Sequence, residues 1–448
     1  MKYPAFSSKW ILYTVSALAC VLTVFIGYFL QRAHFAAILA SMGAFFLMYA
    51  YLSSYFYKNV SAFSWMFYLG VFLRGLLLFS IPNLSDDIYR FLWDGHLWLQ
   101  GVHPFSITPD AFVKMPANQH LVDSELYANM NSRAFFTVYP PVCQGIFALA
   151  CWLAPKGIWG ATVVIKLFLY ACEIGSILLL RRLAGQGAAI LYALNPLIII
   201  ELVGNCHFEA ALIFFLLAAI WALRKQQRTL SAAFLALSIA SKLLPLLFLP
   251  ILWRYLGWWR GLWYCVLVGL STLICFLPIF NWALLQHMAT SIDLYFQKFQ
   301  FNASIYYLCT LVGFWETGWQ IGAKIGPWLG LTTMLGVLFL ALFTATEKKA
   351  KRISLESALL FASVIHLSLS STVHPWYVAI PFVLGLLGKW RFPAIWTFLV
   401  LFSYSHYSGG IYLEKYPWII AEYGLLWVVI CLEALYKSSL PLNRNITG

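Results

Sequence analysis

Residues 10–30, WILYTVSALACVLTVFIGYFL, carry no charged side chain from end to end. A helix of that length covers the hydrocarbon core of a bilayer, roughly 30 Å thick. Apolar runs of similar length, with at most two charged residues each, recur down the chain, for example over 35–56, 63–81, 158–180 and 418–435. The first run is too long for a signal-peptide core and lacks a small-residue cleavage site, so it reads as a span. Of 448 residues, 62% are hydrophobic and 10% charged, whereas a soluble domain carries about a quarter charged residues. Lipid is therefore the solvent for most of the fold. Each segment must then satisfy its own backbone, which makes the chain an all-α, polytopic integral membrane protein. Roughly eleven to thirteen crossings are expected. No internal repeat, soluble domain or linker interrupts them, so residues 1–448 read as one membrane domain.

The net charge of +13 does not indicate nucleic acid. Its Lys and Arg residues are scattered through short loops, as the positive-inside rule places them. Nine cysteines lie mostly in apolar runs without paired spacing and read as small core residues. Lys2, Lys9 and Lys58 flank the first spans, and Arg181, Arg182, Arg224–Arg228 and Lys348–Arg352 flank later ones. With these in the cytoplasm, the segment 82–141 faces outside, as do Gly204–His207 and a polar stretch holding Asp293, Lys298 and Asn302. The run 142–153 is short for a span, and 230–253, interrupted by Lys242 and Pro245, reads as two short helices.

Six of the sixteen carboxylates fall in the segment 82–141: Asp86, Asp87, Asp94, Asp110, Asp123 and Glu125. Residues 86–100 have helical spacing and mixed polarity, which predicts an amphipathic helix along the outer surface. Ser85 is placed to cap it, and Gly101, Pro104 and Pro109 to end it. Asp87, Arg90 and Asp94 share one face. A carboxylate at the membrane boundary is suited to take a proton from an acceptor hydroxyl, which makes Asp86 and Asp87 the candidate catalytic residues.

Ionisable groups at membrane depth cost roughly 2.5–3.5 kcal/mol each on insertion scales. Arg74, Lys166, Glu173, Glu201, Lys242 and His366 are such groups. Lys166 and Glu173, two turns apart, read as an ion pair. Arg74 and Lys242 show no nearby partner, and a lipid phosphate is the anion they are placed to bind; His374 joins them at an outer boundary. Arg90, Asp94, Tyr139, His207, Glu209 and Tyr377 complete the candidate substrate-binding set.

These segments together resemble a known group. Ser85-Asp86-Asp87-Ile88-Tyr89-Arg90-Phe91-Leu92-Trp93-Asp94-Gly95, followed by Gly101-Val102-His103-Pro104-Phe105, is similar to the first periplasmic loop of bacterial polyprenyl-phosphate-mannose-dependent mannosyltransferases of the GT-C superfamily. Tyr139-Pro140-Pro141 matches their YPP element, Ser241-Lys242-Leu243-Leu244-Pro245 their T-K-x-x-P turn, and His374-Pro375-Trp376-Tyr377 their HPWY. Gly204-Asn205-Cys206-His207-Phe208-Glu209-Ala210 is similar to their G-N-G-H-N-D-A, departing at Cys206, Phe208 and Glu209. The resemblance implies an inverting transfer of a sugar, most simply mannose, from a polyprenyl-phosphate donor on the outer face of a bacterial inner membrane. An acid of the first outer loop serves as base. The acid-x-Tyr-Arg pattern favours Asp87 and the superfamily's Asp-acid pair favours Asp86, so both stay open, as do the donor sugar and the acceptor.

No His/Cys/Asp cluster has ligand spacing, so neither a tight transition metal nor a cofactor is expected, although Asp86 and Asp87 have the charge to hold a divalent cation weakly. Two rival readings exist. A transporter or flippase of lipid-linked sugars would have an inverted repeat and charge at the midplane. A polymerase or ligase of lipid-linked glycans would also have a large outer loop, but would rely on Arg-based handling of pyrophosphate.

Overall fold

The computed structural model describes residues 5–297, 299–319, 321–346, 353–410 and 412–439. Lys2, Lys348, Lys349, Lys351 and Arg352, read above as cytoplasmic, and Lys298 of the outer polar stretch lie outside them. The described residues are mostly helical, with two isolated bridges, Phe301–Thr372 and Thr344–Ile353. In chain order the helices are α1 (Ala5–Tyr28), α2 (Phe35–Lys58), α3 (Phe63–Leu76), α4 (Asp87–Leu99), α5 (Pro109–Lys114), α6 (Ser124–Asn129), α7 (Pro141–Leu153), α8 (Ile158–Ala193), α9 (Pro196–Ile198), α10 (Glu209–Arg224), α11 (Arg228–Ser241) and α12 (Leu249–Leu256). They continue with α13 (Trp258–Phe276), α14 (Trp282–Gln297), α15 (Ile305–Thr317), α16 (Gly322–Phe343), α17 (Leu355–Leu369), α18 (Ala379–Gly388), α19 (Phe392–Leu399) and α20 (Tyr416–Ser439).

Six helices among the described residues are long and apolar enough to cross a membrane, and the pair Pro196–Gly204 and Glu209–Arg224, bent by 111°, makes a seventh. The other apolar runs form helices of 10–17 residues. The eleven to thirteen runs counted in the sequence therefore include segments too short to span alone. Lys242 and Pro245 separate α11 from the turn Leu244–Phe248 and α12, giving the two short helices expected there. In α8, Gly185 takes φ 87°, a left-handed value open to glycine, and breaks the helix just after Arg181 and Arg182.

Two of the buried cations hold helices together. Gly70 lets α3 approach α8 so closely that a Cβ there would sit 2.7 Å from the Ala193 carbonyl oxygen. One turn on, Arg74 donates from Nε to Glu173 Oε2 (3.0 Å), from Nη1 to the carbonyls of Gly70 (2.9 Å) and Ala193 (2.5 Å), and from Nη2 to that of Tyr192 (3.3 Å). Glu173 also accepts from the Tyr192 hydroxyl (2.6 Å). Arg74 therefore has a partner after all, 99 positions away, and its guanidinium is sealed. This corrects the expectation that it is free to bind a phosphate. Lys166 does not pair with Glu173; it donates to the Leu77 carbonyl (2.9 Å) and Ser80 Oγ (2.8 Å), satisfying the end of α3.

Helix α4 does not lie on a surface. Ile88, Arg90 to Gly95 and Leu97 are all buried. Gly95 meets the α7 backbone, a Cβ there falling 2.5 Å from the Phe147 carbonyl oxygen, and Phe91 stacks on Phe147 at 4.5 Å. Pro109 starts a helix rather than ending one, at the first position of α5, where its missing N–H has no cost.

Candidate active site

The segment that leads into α4 is pinned to α1. Asn83 donates to the Ile26 carbonyl (2.8 Å) and to that of Leu30, filling acceptors left open at the end of α1. Asn205 accepts from the Leu84 N–H (3.3 Å) and donates to Glu201 Oε2 (3.2 Å). The bend between α9 and α10 is thereby locked to the start of α4. At that bend a π-helical turn, Ile199–Gly204, ends in Cys206 with φ 62°. The related motif has glycine at this position, and the backbone shows why: a side chain in the left-handed region costs roughly 1–2 kcal/mol.

These joints bring Asp86, Asp87, His207, Glu209, Lys242, His374 and Tyr377 to one end of the helices. Asp86 is the N-cap residue of α4, with no side-chain cap bond, and pairs with Arg32 from the turn between α1 and α2. Asp87 begins α4; its N–H donates to Ser85 Oγ (3.3 Å), but the N-cap position falls to Asp86 rather than to Ser85 as expected. The Asp87 carboxylate lies 4.0 Å from His207 Nε2. Burial raises its pKa, opposed by the positive charges of His207 and Lys242, with Asp86 and Glu209 pushing further upward. His207 Nδ1 lies 2.9 Å from the Glu201 carbonyl oxygen, which only accepts, so the proton sits on Nδ1. Nε2 is buried, has no hydrogen-bond partner and faces Asp87.

Lys242 pairs with Glu209 and sits 4.1 Å over the Tyr377 ring. Its side chain is 35% exposed, and one carboxylate contact leaves donors for an incoming anion. Trp376 stacks on both imidazoles, His207 at 3.6 Å and His374 at 4.5 Å. Burial and the charge of Lys242 hold the His374 pKa well below its ordinary value, so this ring is neutral.

Three predicted residues are placed elsewhere. Arg90 and Asp94 form a buried ion pair at 2.8 Å. Arg90 Nη1 also donates to the carbonyls of Ser132 (3.1 Å) and Phe135 (2.9 Å), while Asp94 Oδ2 accepts from Thr137 (2.5 Å) and Gln144 (3.0 Å). Together they strap residues 132–137 to α4 and α7, which corrects their assignment as substrate contacts. Tyr139 packs edge-on against Phe91 (4.8 Å) and Phe147 (5.5 Å).

Three residues outside the predicted site set hold the site. Arg32 neutralises Asp86 and lies 4.8 Å over the Tyr407 ring. Its signal was available: a basic residue in a turn that the charge rule puts outside. Glu201 orients His207 while accepting from Tyr404. Trp376, quoted above only within the HPWY match, stacks on both site histidines. Among the described residues no group of three or more His, Cys, Asp or Glu is disposed to hold a metal ion.

A family profile described as alpha-(1→6)-mannopyranosyltransferase, N-terminal domain, matches residues 6–257, more than half of the chain. The chain belongs to this mannosyltransferase family. No curated protein sequence matches it. It is a multi-pass membrane glycosyltransferase of the mannose-transferring class. The matched region contains Arg32, Asp86, Asp87, His207, Glu209 and Lys242 of the candidate site and ends before His374 and Tyr377.

Proposed function

We propose that the enzyme moves mannose from a polyprenyl phosphate to a hydroxyl of a glycan acceptor, on the outer face of the membrane and with inversion, using Asp87 as general base. One observation carries the reading: a carboxylate with a raised pKa and an open lysine share one site at one end of the helices. Asp86 is committed to Arg32, which leaves Asp87 as the freer base. Asp87 takes the acceptor proton as the acceptor oxygen bonds to the anomeric carbon. The bond from that carbon to the phosphate oxygen breaks on the opposite face, and the electron pair leaves with the lipid phosphate. Lys242 balances that charge, and neutral His374 donates to it. His207 Nε2 lies 4.0 Å from the Asp87 carboxylate and faces it. The charge pattern of the loops supports the outer face.

The test uses purified protein in lipid vesicles, polyprenyl-phosphate mannose and an α-(1→6)-linked mannobiose acceptor. Mass spectrometry and NMR should show one added mannose with the anomeric configuration reversed relative to the donor. Product from a sugar nucleotide alone, or retained configuration, contradicts the proposal.

A further inference from the structure

Helix α4 carries a second feature besides the acids at its start. Tyr89, Trp93, His96 and Gln100 follow one another at helical spacing along a single stripe. Tyr89 lies within the electrostatic reach of both Asp86 and Glu125, so the stripe begins beside the catalytic acids. It runs into a half-open cleft of about 60 Å³, formed with Phe112, Leu121 and Asp123 from the loop that covers α4.

The cleft is rich in polar groups that the protein does not use. Trp93 is 3% exposed, and its indole N–H has no hydrogen-bond partner. Among the described residues the His96 ring makes no hydrogen bond, and burial lowers its pKa, so it offers one donor and one acceptor. Asp123 caps α6 through Oδ1, accepting from the N–H groups of Glu125 and Leu126 (3.0 Å each), which leaves Oδ2 as an acceptor. Gln100 donates to the Leu121 carbonyl (3.2 Å) and keeps its own carbonyl oxygen free for a ligand donor.

We propose that this cleft is a distal acceptor subsite that grips one hexose of a glycan, several sugars from the hydroxyl being mannosylated. The proposal rests on the reading above in which the acceptor is a glycan. Phe112, 1% exposed, and Leu121 give the cleft an apolar floor beside separated donors and acceptors, which suits the hydroxylated edge of a pyranose. The volume takes the hydroxylated edge of a ring rather than a whole one. His96 is nine residues from Asp87, about 14 Å along the helix, so the acceptor chain would run along the stripe past Tyr89. A phosphate or nucleotide does not fit, because the charged lining group is a carboxylate.

The test titrates α-(1→6)-linked mannotetraose and mannobiose against the full-length protein in nanodiscs without donor, read by calorimetry and saturation-transfer NMR. Tetraose should bind more tightly than biose. Asp123→Asn and Gln100→Ala should each narrow that gap about tenfold, the loss of one hydrogen bond to sugar. Asp123→Asn keeps the α6 cap, so an unchanged melting temperature separates lost binding from lost folding. An equal affinity for the two sugars in the native protein, or a gap unmoved in both variants, overturns the subsite. Because no donor is present, the result does not depend on Asp87, and failure of either claim leaves the other readable.

Discussion

Two buried cation–carboxylate pairs divide the protein's chemistry. Arg74–Glu173 has no exposed surface on either side chain, whereas Lys242–Glu209 joins a lysine 35% exposed to a glutamate 2% exposed. The first pair is closed: backbone carbonyls and Tyr192 take up the groups the two ions leave over. The second is open toward Tyr377, His374 and Asp87, with ammonium donors in reserve. An ion inside a membrane protein is thus not a site by virtue of its depth. What separates a fastener from a binding group is whether the protein itself fills the hydrogen-bonding capacity of the ion.

The largest effect that sharpens this contrast is expected from Arg74→Ala. It strands Glu173 in a dry interface and should cost about 3–5 kcal/mol, seen as lost folded protein on size exclusion and a lowered melting temperature. Arg74→Met with Glu173→Leu should recover much of that loss. If Arg74→Ala instead folds normally and only weakens donor use, the pair is not a fastener and the contrast breaks.

Lys242→Ala should do the reverse. It leaves the buried Glu209 unpaired beside an open site, so the melting temperature falls by less than in Arg74→Ala, while KM for the lipid donor rises about tenfold, or 1.4 kcal/mol. The acceptor KM should not move. A donor KM that is unchanged removes the phosphate role.

A smaller effect is expected in the pH profile. Asp87 acts only as the carboxylate, so kcat/KM falls as pH drops through its pKa. Burial has raised that pKa, which puts the acid limb above the ordinary carboxylate value. Asp86→Asn removes a negative neighbour and leaves Arg32 unneutralised, and both changes favour ionised Asp87, so the limb moves to lower pH. A limb that stays in place in Asp86→Asn means that another group controls it.

The spans, the acidic loop and the order of the motifs were legible in the sequence because each is local. Hydrophobic runs, a charge imbalance and tetrapeptides need no knowledge of what lies opposite. Arg74 was misread because Glu173 is 99 positions away, and Lys166 because its partners are the Leu77 carbonyl and the Ser80 hydroxyl, which have no charge signature. The burial of α4 was hidden by its mixed polarity: Arg90 and Asp94 look like a solvated face until residues 132–137 close over them. Cys206 is the converse case, where a departure from the related motif became intelligible only through a backbone angle.

Asp87 is the residue on which the catalytic account turns, and replacing it with Asn tests that account most directly. With polyprenyl-phosphate mannose and purified protein, Asp87→Asn should fold and bind donor normally but turn over about 10²–10⁴-fold more slowly, while Asp86→Asn keeps measurable turnover. Full activity in Asp87→Asn, above all if Asp86→Asn is inactive, would contradict it.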